Sequence, residues 1–206
     1  VLDTIIYLVD SLPPRVWRST NSGLSWNVMG TIDSLWTVQQ IAHIPGAPNW
    51  LWLVGHKQNN DTLAYILNSQ DGGATWTFID TILAGEVRDF QENPSNIWHT
   101  LIATDQGIYQ GTAGLGPWIL LTEPFAFGLY QPMDIEFTGN DTIVVSSFFE
   151  PGIFKGYRIG GVWTFSHVED RETGSYMNFG GTTTLYCGSF GIGVFKSTND
   201  GNTWVI

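Results

Sequence analysis

The sequence predicts an all-β fold, a β-propeller of four-stranded antiparallel blades, and three observations predict it. An eight-residue pattern occurs at "STNSGLSW" (19–26), "SQDGGATW" (69–76) and "STNDGNTW" (197–204). Two weaker versions, "GTAGLGPW" and "GYRIGGVW", end at Trp118 and Trp163, so five tryptophans follow one another at intervals of 50, 42, 45 and 41 residues, the period of a blade. Between them lie short β-rich runs broken by Gly, Pro, Asn and Asp, with no helical stretch.

Each blade is expected to run from an innermost to an outermost strand. Innermost strands are read at "WTVQQIA", "EVRDFQ", "PMDIEF" and "SYMNF"; the first repeat lacks one. Second strands follow at "TIIYLVD", "WLWLVG", "WHTLIAT", "TIVVSSFF" and "TTLYCGSF". The third strand ends in an apolar pair, a polar residue and a small one. Its versions are Val16-Trp17-Arg18-Ser19, Ile66-Leu67-Asn68-Ser69, Ile108-Tyr109-Gln110-Gly111, Ile153-Phe154-Lys155-Gly156 and Val194-Phe195-Lys196-Ser197. A fourth strand follows each tryptophan, as in "WTFID" and "WILLT". The repeats then end near residues 30, 80, 122, 167 and 206, giving about nineteen strands in one propeller spanning 1–206. Neither the first nor the last blade is full, so either five blades close imperfectly or the chain is part of a longer one with further blades; the second is the expectation, and a larger chain or complex would hold it.

Composition narrows the partners. With 8 basic and 19 acidic side chains the net charge is −11, and the basic residues form no run, which disfavours nucleic acid and anionic lipid. No apolar run approaches a membrane span and no signal peptide is visible. Cys187, the one cysteine, sits in a strand and reads as a small hydrophobe. The four histidines show no ligand spacing, so neither a metal nor a cofactor is expected. Trp17, Trp36, Trp50, Trp52 and Trp98 fall outside the repeated pattern; packing between blades is their expected use, glycan stacking the alternative.

The repeated pattern, Ser-x-Asn/Asp-x-Gly-x-Ser/Thr-Trp, resembles the Asp-box, or bacterial neuraminidase repeat. That repeat occurs in sialidases, xyloglucan-cleaving glycosidases, sortilin-type receptors and photosystem II assembly factors. The resemblance implies a turn between the third and fourth strands. Its residues here are Ser19, Asn21, Gly23 and Trp26; Ser69, Asp71, Gly73 and Trp76; Ser197, Asn199, Gly201 and Trp204; and the residual Trp118 and Trp163. The Asp or Asn side chain is expected to accept from backbone N–H groups two residues on. The glycines should allow the reversal, the Ser or Thr before Trp should tie the far side, and the indole should pack on the neighbouring blade. These are scaffold roles. The three substrate-binding arginines implied by the sialidase resemblance are missing, since "PPRVWR" reverses the expected motif order. The cysteine-rich module of sortilins is missing, and the acidic charge departs from the basic patch of the photosynthetic factors.

For chemistry, aligned innermost strands place Gln40, Asp89, Asp134 and Asn178 at one level. A polar ring on a wet channel is the plain reading. The catalytic one pairs Asp89 with Asp134, or Glu136, as acid and base of a glycosidase. The sequence therefore favours a secreted or cell-surface bacterial propeller that binds a protein or glycan through inter-blade loops such as 55–61 and 148–152. A glycoside hydrolase acting on a polysaccharide is the alternative.

Overall fold

The protein is described by a computed structural model, which covers residues 5–10, 14–32, 36–44, 47–57, 59–112, 115–121, 131–147, 152–169, 177–179, 183–189 and 193–206. Eighteen strands and no helix occur among these residues. They form five antiparallel sheets in which strands that follow each other in the chain lie side by side. The first holds β1 (Ile6–Asp10), β2 (Arg15–Ser19) and β3 (Asn27–Thr31). The second holds β4 (Trp36–Ile44), β5 (Ala47–Lys57), β6 (Asn60–Ser69) and β7 (Thr77–Leu83). The third holds β8 (Val87–Asn93), β9 (Asn96–Thr104), β10 (Gly107–Thr112) and β11 (Leu115–Leu120). The fourth holds β12 (Pro132–Gly139), β13 (Thr142–Ser147), β14 (Gly152–Ile159) and β15 (Val162–Glu169). The last holds β16 (Met177–Phe179), β17 (Leu185–Ser189) and β18 (Gly193–Ser197), and Val205 adds a single bridge to Lys196 where a fourth strand would run.

The chain divides into two compact units, with the boundary between Val87 and Arg88, inside β8. In the first unit Val16, Ile32, Leu51, Leu53 and Leu67 form a core between the first two sheets, with Tyr7, Val9, Met29 and Trp76 packed on it. The second unit has two such cores. Leu101, Ala103 and Ile108 meet Ile135, Phe137, Val145 and Phe154, and on the other face Val144 and Ile153 meet Leu185, Cys187, Phe195 and Trp204. β13 lies between the two cores of the second unit and is apolar on both sides, so its run Ile143–Val145 is buried throughout; Leu51–Leu53 and Leu101–Ala103 are buried throughout as well.

The register carries repeats of its own. The pairing of third with fourth strand shifts at Val16/Trp17, Ile66/Leu67 and Ile153/Phe154, the same apolar pair each time. Each shift leaves one extra residue on the fourth strand, and two of these, Met29 and Val168, pack on the cores. Innermost strands shift too, between Val38 and Gln40 and between Pro132 and Asp134.

Three expectations are corrected. The window 156–163 contains no turn of the eight-residue kind, and the described residues of 111–118 belong to β10 and β11. Gly156–Ile159 continue β14, and a tight Gly160–Gly161 reversal, with φ of 60° and 86°, joins Ile159 to its partner Val162. Trp118 and Trp163 thus lie within fourth strands. The stretch 55–61 joins β5 to β6 of one sheet and is not an inter-blade loop; of 148–152, only Gly152, the start of β14, is described.

Candidate functional site

The three strong turns share one hydrogen-bond pattern. Ser69 Oγ donates to Asp71 Oδ1 (2.8 Å) and accepts from Gly73 N–H (2.8 Å), while Asp71 Oδ1 accepts from Thr75 N–H (2.9 Å). Ser19 and Asn21, and Ser197 and Asn199, repeat these bonds at 2.8–3.0 Å. The acceptor therefore reaches the amide four residues on, not two, because the leading serine already takes the nearer amide, Gly73 N–H. The far side is tied by Thr75 Oγ1 donating to Asp71 Oδ2 at 2.6 Å, and by Asn21 and Asn199 donating to Ser25 and Thr203. Thr75's hydroxyl and amide, with Ser69's hydroxyl, hold the exposed Asp71 carboxyl down to about 2. Gly23, Gly73 and Gly201 all adopt left-handed φ, from 76° to 93°.

The indoles divide. Trp26 and Trp204 donate from Nε1 to the Gly23 and Gly201 carbonyls of their own turns. Trp204 also packs on Val144 and Ile153 of the preceding sheet and is 6% exposed, as neighbour packing predicts. Trp26 is 37% exposed, so that expectation is corrected for it. Outside the turns Trp52 is buried, Trp17 donates to Asp10 and lies under Arg15, and the side chains of Trp36 and Trp98 lie outside the described residues.

The innermost strands bring the predicted carboxyls together. The carboxyls of Asp89 on β8 and Asp134 on β12 come within hydrogen-bonding reach of each other. Asp89 also accepts from Ile135 N–H (2.9 Å) and from its own neighbour Phe90 N–H (2.8 Å). Burial raises the Asp89 pKa and these donors oppose the rise. Glu136, one pleat further along β12, is pushed to about 7 by burial and then by the Asp89 charge. Cys187 is pushed to about 12 by burial and by Asp134, which keeps it a thiol. Arg88 leaves this cluster, donating to Gln131 Oε1 at 2.6 Å.

In the first unit Gln40 lines a cavity with Val9, Asp10, Val38, Gln39 and Ile41, and Asn178's side chain lies outside the described residues. It is Gln39, the residue inserted by the β4 irregularity, that makes the equivalent tie: its Oε1 accepts from Val87 N–H (3.0 Å) and pairs with His56 Nε2 (2.9 Å). Gln39 and Asp89 do one job. An innermost strand has no backbone partner on its free side, and a side chain from the preceding sheet satisfies one of its amides. The sequence reading missed Gln39; the doubled glutamine in "VQQI" was its only signal. Among the described residues no group of His, Cys, Asp and Glu side chains could hold a metal ion.

No protein-family model matches the chain, and no curated protein matches it in sequence. Solved structures do match it in shape. A YCF48 bound to a D1 peptide aligns with 93% of this chain and 60% of its own, at 14% identity and TM-score 0.63. A GH74 xyloglucanase from Xanthomonas campestris aligns with 98% of this chain and 36% of its own, at 13% identity and TM-score 0.70. A protein from Lactobacillus plantarum aligns with all of this chain and 68% of its own, at 12% identity and TM-score 0.70. The chain thus spans less than two thirds of the first two. At such identities the likeness speaks for fold alone: this is an all-β chain of the β-propeller class.

Proposed function

We propose that the chain is a binding module, an Asp-box propeller that presents its loops to a protein or glycan and performs no chemistry. The observation that carries this reading is the commitment of Asp89. Its carboxyl accepts from Ile135 N–H and Phe90 N–H, which makes it a strut between two strands. A peptide ligand is favoured by the likeness to YCF48, whose structure holds a D1 peptide. A composition with 13% charged residues and a net charge of −11 supports work outside the cytoplasm, on or beyond a bacterial surface.

A second reading rests on Glu136. A carboxyl titrating at about 7 is suited to donate a proton to a glycosidic oxygen, and a GH74 xyloglucanase shares the fold. One experiment separates the two. The purified chain is incubated with xyloglucan and other polysaccharides while reducing ends are followed, and it is applied in parallel to glycan and peptide arrays. Binding that survives Glu136→Gln, with no release of reducing ends, is expected. Hydrolysis abolished by Glu136→Gln would sink the binding-module reading in favour of the hydrolase.

A further inference from the structure

The seam between the third and fourth sheets holds a buried histidine whose protonation state is fixed by its hydrogen bonds. Asn93, at the end of β8, is fully buried, and its Oδ1 accepts from Ser95 N–H (2.9 Å) and Asn96 N–H (3.2 Å) in the turn to β9. Those two donors orient the amide, so Nδ2 is the atom left to bond across the seam. Nδ2 donates to the Asn140 carbonyl (2.6 Å) in the turn from β12 to β13, and it lies 3.3 Å from His99 Nδ1. His99 Nδ1 is therefore an acceptor, and it carries no proton while this contact stands.

The rest of the seam resists a charge. His99 is 3% exposed. It stacks on Trp163 of β15, with ring centres 5.8 Å apart and 26° between planes, and meets Phe137 of β12 edge-on at 5.4 Å. The Oε1 of Gln110 on β10 is taken by Trp163 Nε1 at 2.6 Å. Among the described residues, the charged groups acting on the ring are Arg158 at the end of β14 and Asp141 in the β12–β13 turn. These two are paired at 2.8 Å, and Arg158 lies 5.9 Å from the Trp163 ring centre. Glu92 and Glu136 alternate to the strand faces opposite Asn93 and Phe137, and His167 lies further along β15, stacked on Phe154. Burial and then Arg158 disfavour the charged ring more than Gln110 and Asp141 favour it, and its pKa falls to about 4.

We propose that this seam is an acid-sensitive latch, in which a proton taken up on His99 Nδ1 releases the β12–β13 turn from the β8–β9 turn. Protonation converts the acceptor into a donor that faces the Asn93 amide, and two donors cannot share one contact. Asn93 must turn away, and its bond to the Asn140 carbonyl goes with it. The third sheet keeps its other tie to β12, from Asp89 to Ile135 N–H, so the latch frees one end of β12 and the hairpin that follows. The trigger is mild acid. A ring in the opened seam returns to the ordinary value of 6.5 and takes the proton first, so the closed seam is favoured above about pH 6.5 and loses that preference as pH falls to about 4.

The test is nuclear magnetic resonance of the chain as the pH is lowered from 7. The His99 ring, assigned through its contacts to Trp163 and Phe137, is expected to titrate well below 6.5. The Asn93 side-chain amide protons are expected to exchange slowly at pH 7. Corrected for the pH dependence of exchange itself, their protection should fall by about twentyfold at pH 5, as linkage between values of 6.5 and about 4 requires. His99→Asn offers an oxygen in place of Nδ1 and cannot titrate, so its protection should stay level. Glu136 moves stability the opposite way over this range, which is why the readout is local to Asn93. A His99 ring that titrates at 6.5 or above in the folded chain overturns the proposal. Protection that holds at pH 5 in the wild type, or falls equally in His99→Asn, overturns it as well. The wild-type titration decides the matter even where His99→Asn does not fold.

Discussion

Lys155→Met tests the device that joins the fourth sheet to the last. The ammonium makes two charge-assisted hydrogen bonds, to Asp200 and Asn202, from a side chain that is 4% exposed. Each such bond contributes about 1.5–3 kcal/mol. Methionine fills most of the volume of the lysine stem, so packing is retained. Asn202 is exposed and can turn its amide to water, which leaves the Asp200 carbonyl as the stranded group. The expected loss is therefore about 2 kcal/mol, one bond's worth. For a chain of this length that lowers the melting midpoint by about 4–8 °C. Thermal unfolding followed by circular dichroism reads it. A Lys155→Met protein that melts with or above the wild type would refute the reasoning. The cost of burying the ammonium would then match what its hydrogen bonds return.

Three further predictions concern the turns and the carboxyl cluster. Gly73→Ala and Gly201→Ala should cost more than Gly23→Ala in urea unfolding. All three share the left-handed penalty of about 1–2 kcal/mol, but an added Cβ would sit 2.7 Å from Val16 Cγ1 and 2.5 Å from Val144 Cγ2 at the first two, against 3.8 Å from its nearest atom at Gly23. Because the folded Glu136 pKa lies above its unfolded value of 4.5, the unfolded chain loses that proton first, and stability falls as pH rises from about 4.5 to about 7. Glu136→Gln should flatten that slope and raise stability at pH 8 by up to about 3 kcal/mol, measured by urea titration at a series of pH values. Asp71 runs the other way: its depressed pKa gives stability that is present above about pH 4 and lost as pH falls through about 2. Asp71→Asn, the residue already used at 21 and 199, should remove that dependence while amide exchange at Thr75 stays protected.

Period, strand order and turn chemistry were legible in the sequence because they are local. The positions of Gly, Asn or Asp, and Ser in an eight-residue window settle their own hydrogen bonds, and the alternation of short apolar runs settles the strands. The reach of the acceptor was misjudged by two residues, since Ser69 Oγ already takes the Gly73 amide that Asp71 was expected to hold. Trp118 and Trp163 misled for a related reason: a tryptophan at the right interval sits equally well inside a continuing strand, and Gly160–Gly161 supplies a shorter reversal.

The sequence by itself determined that this chain builds four-stranded antiparallel sheets at the spacing of propeller blades. Only the tertiary structure decided what those sheets do to one another. The extra residue at the β4 irregularity, Gln39, makes a tie to Val87 N–H that the pattern of the strand did not announce. Asp89 and Asp134 stand 45 positions apart, and nothing in either strand reports that their carboxyls meet, or that burial pushes the Glu136 carboxyl up to about 7. Three turns of one pattern leave Trp204 buried and Trp26 exposed, because burial is set by the surface that arrives from another sheet and not by the hydrogen bonds that make the turn.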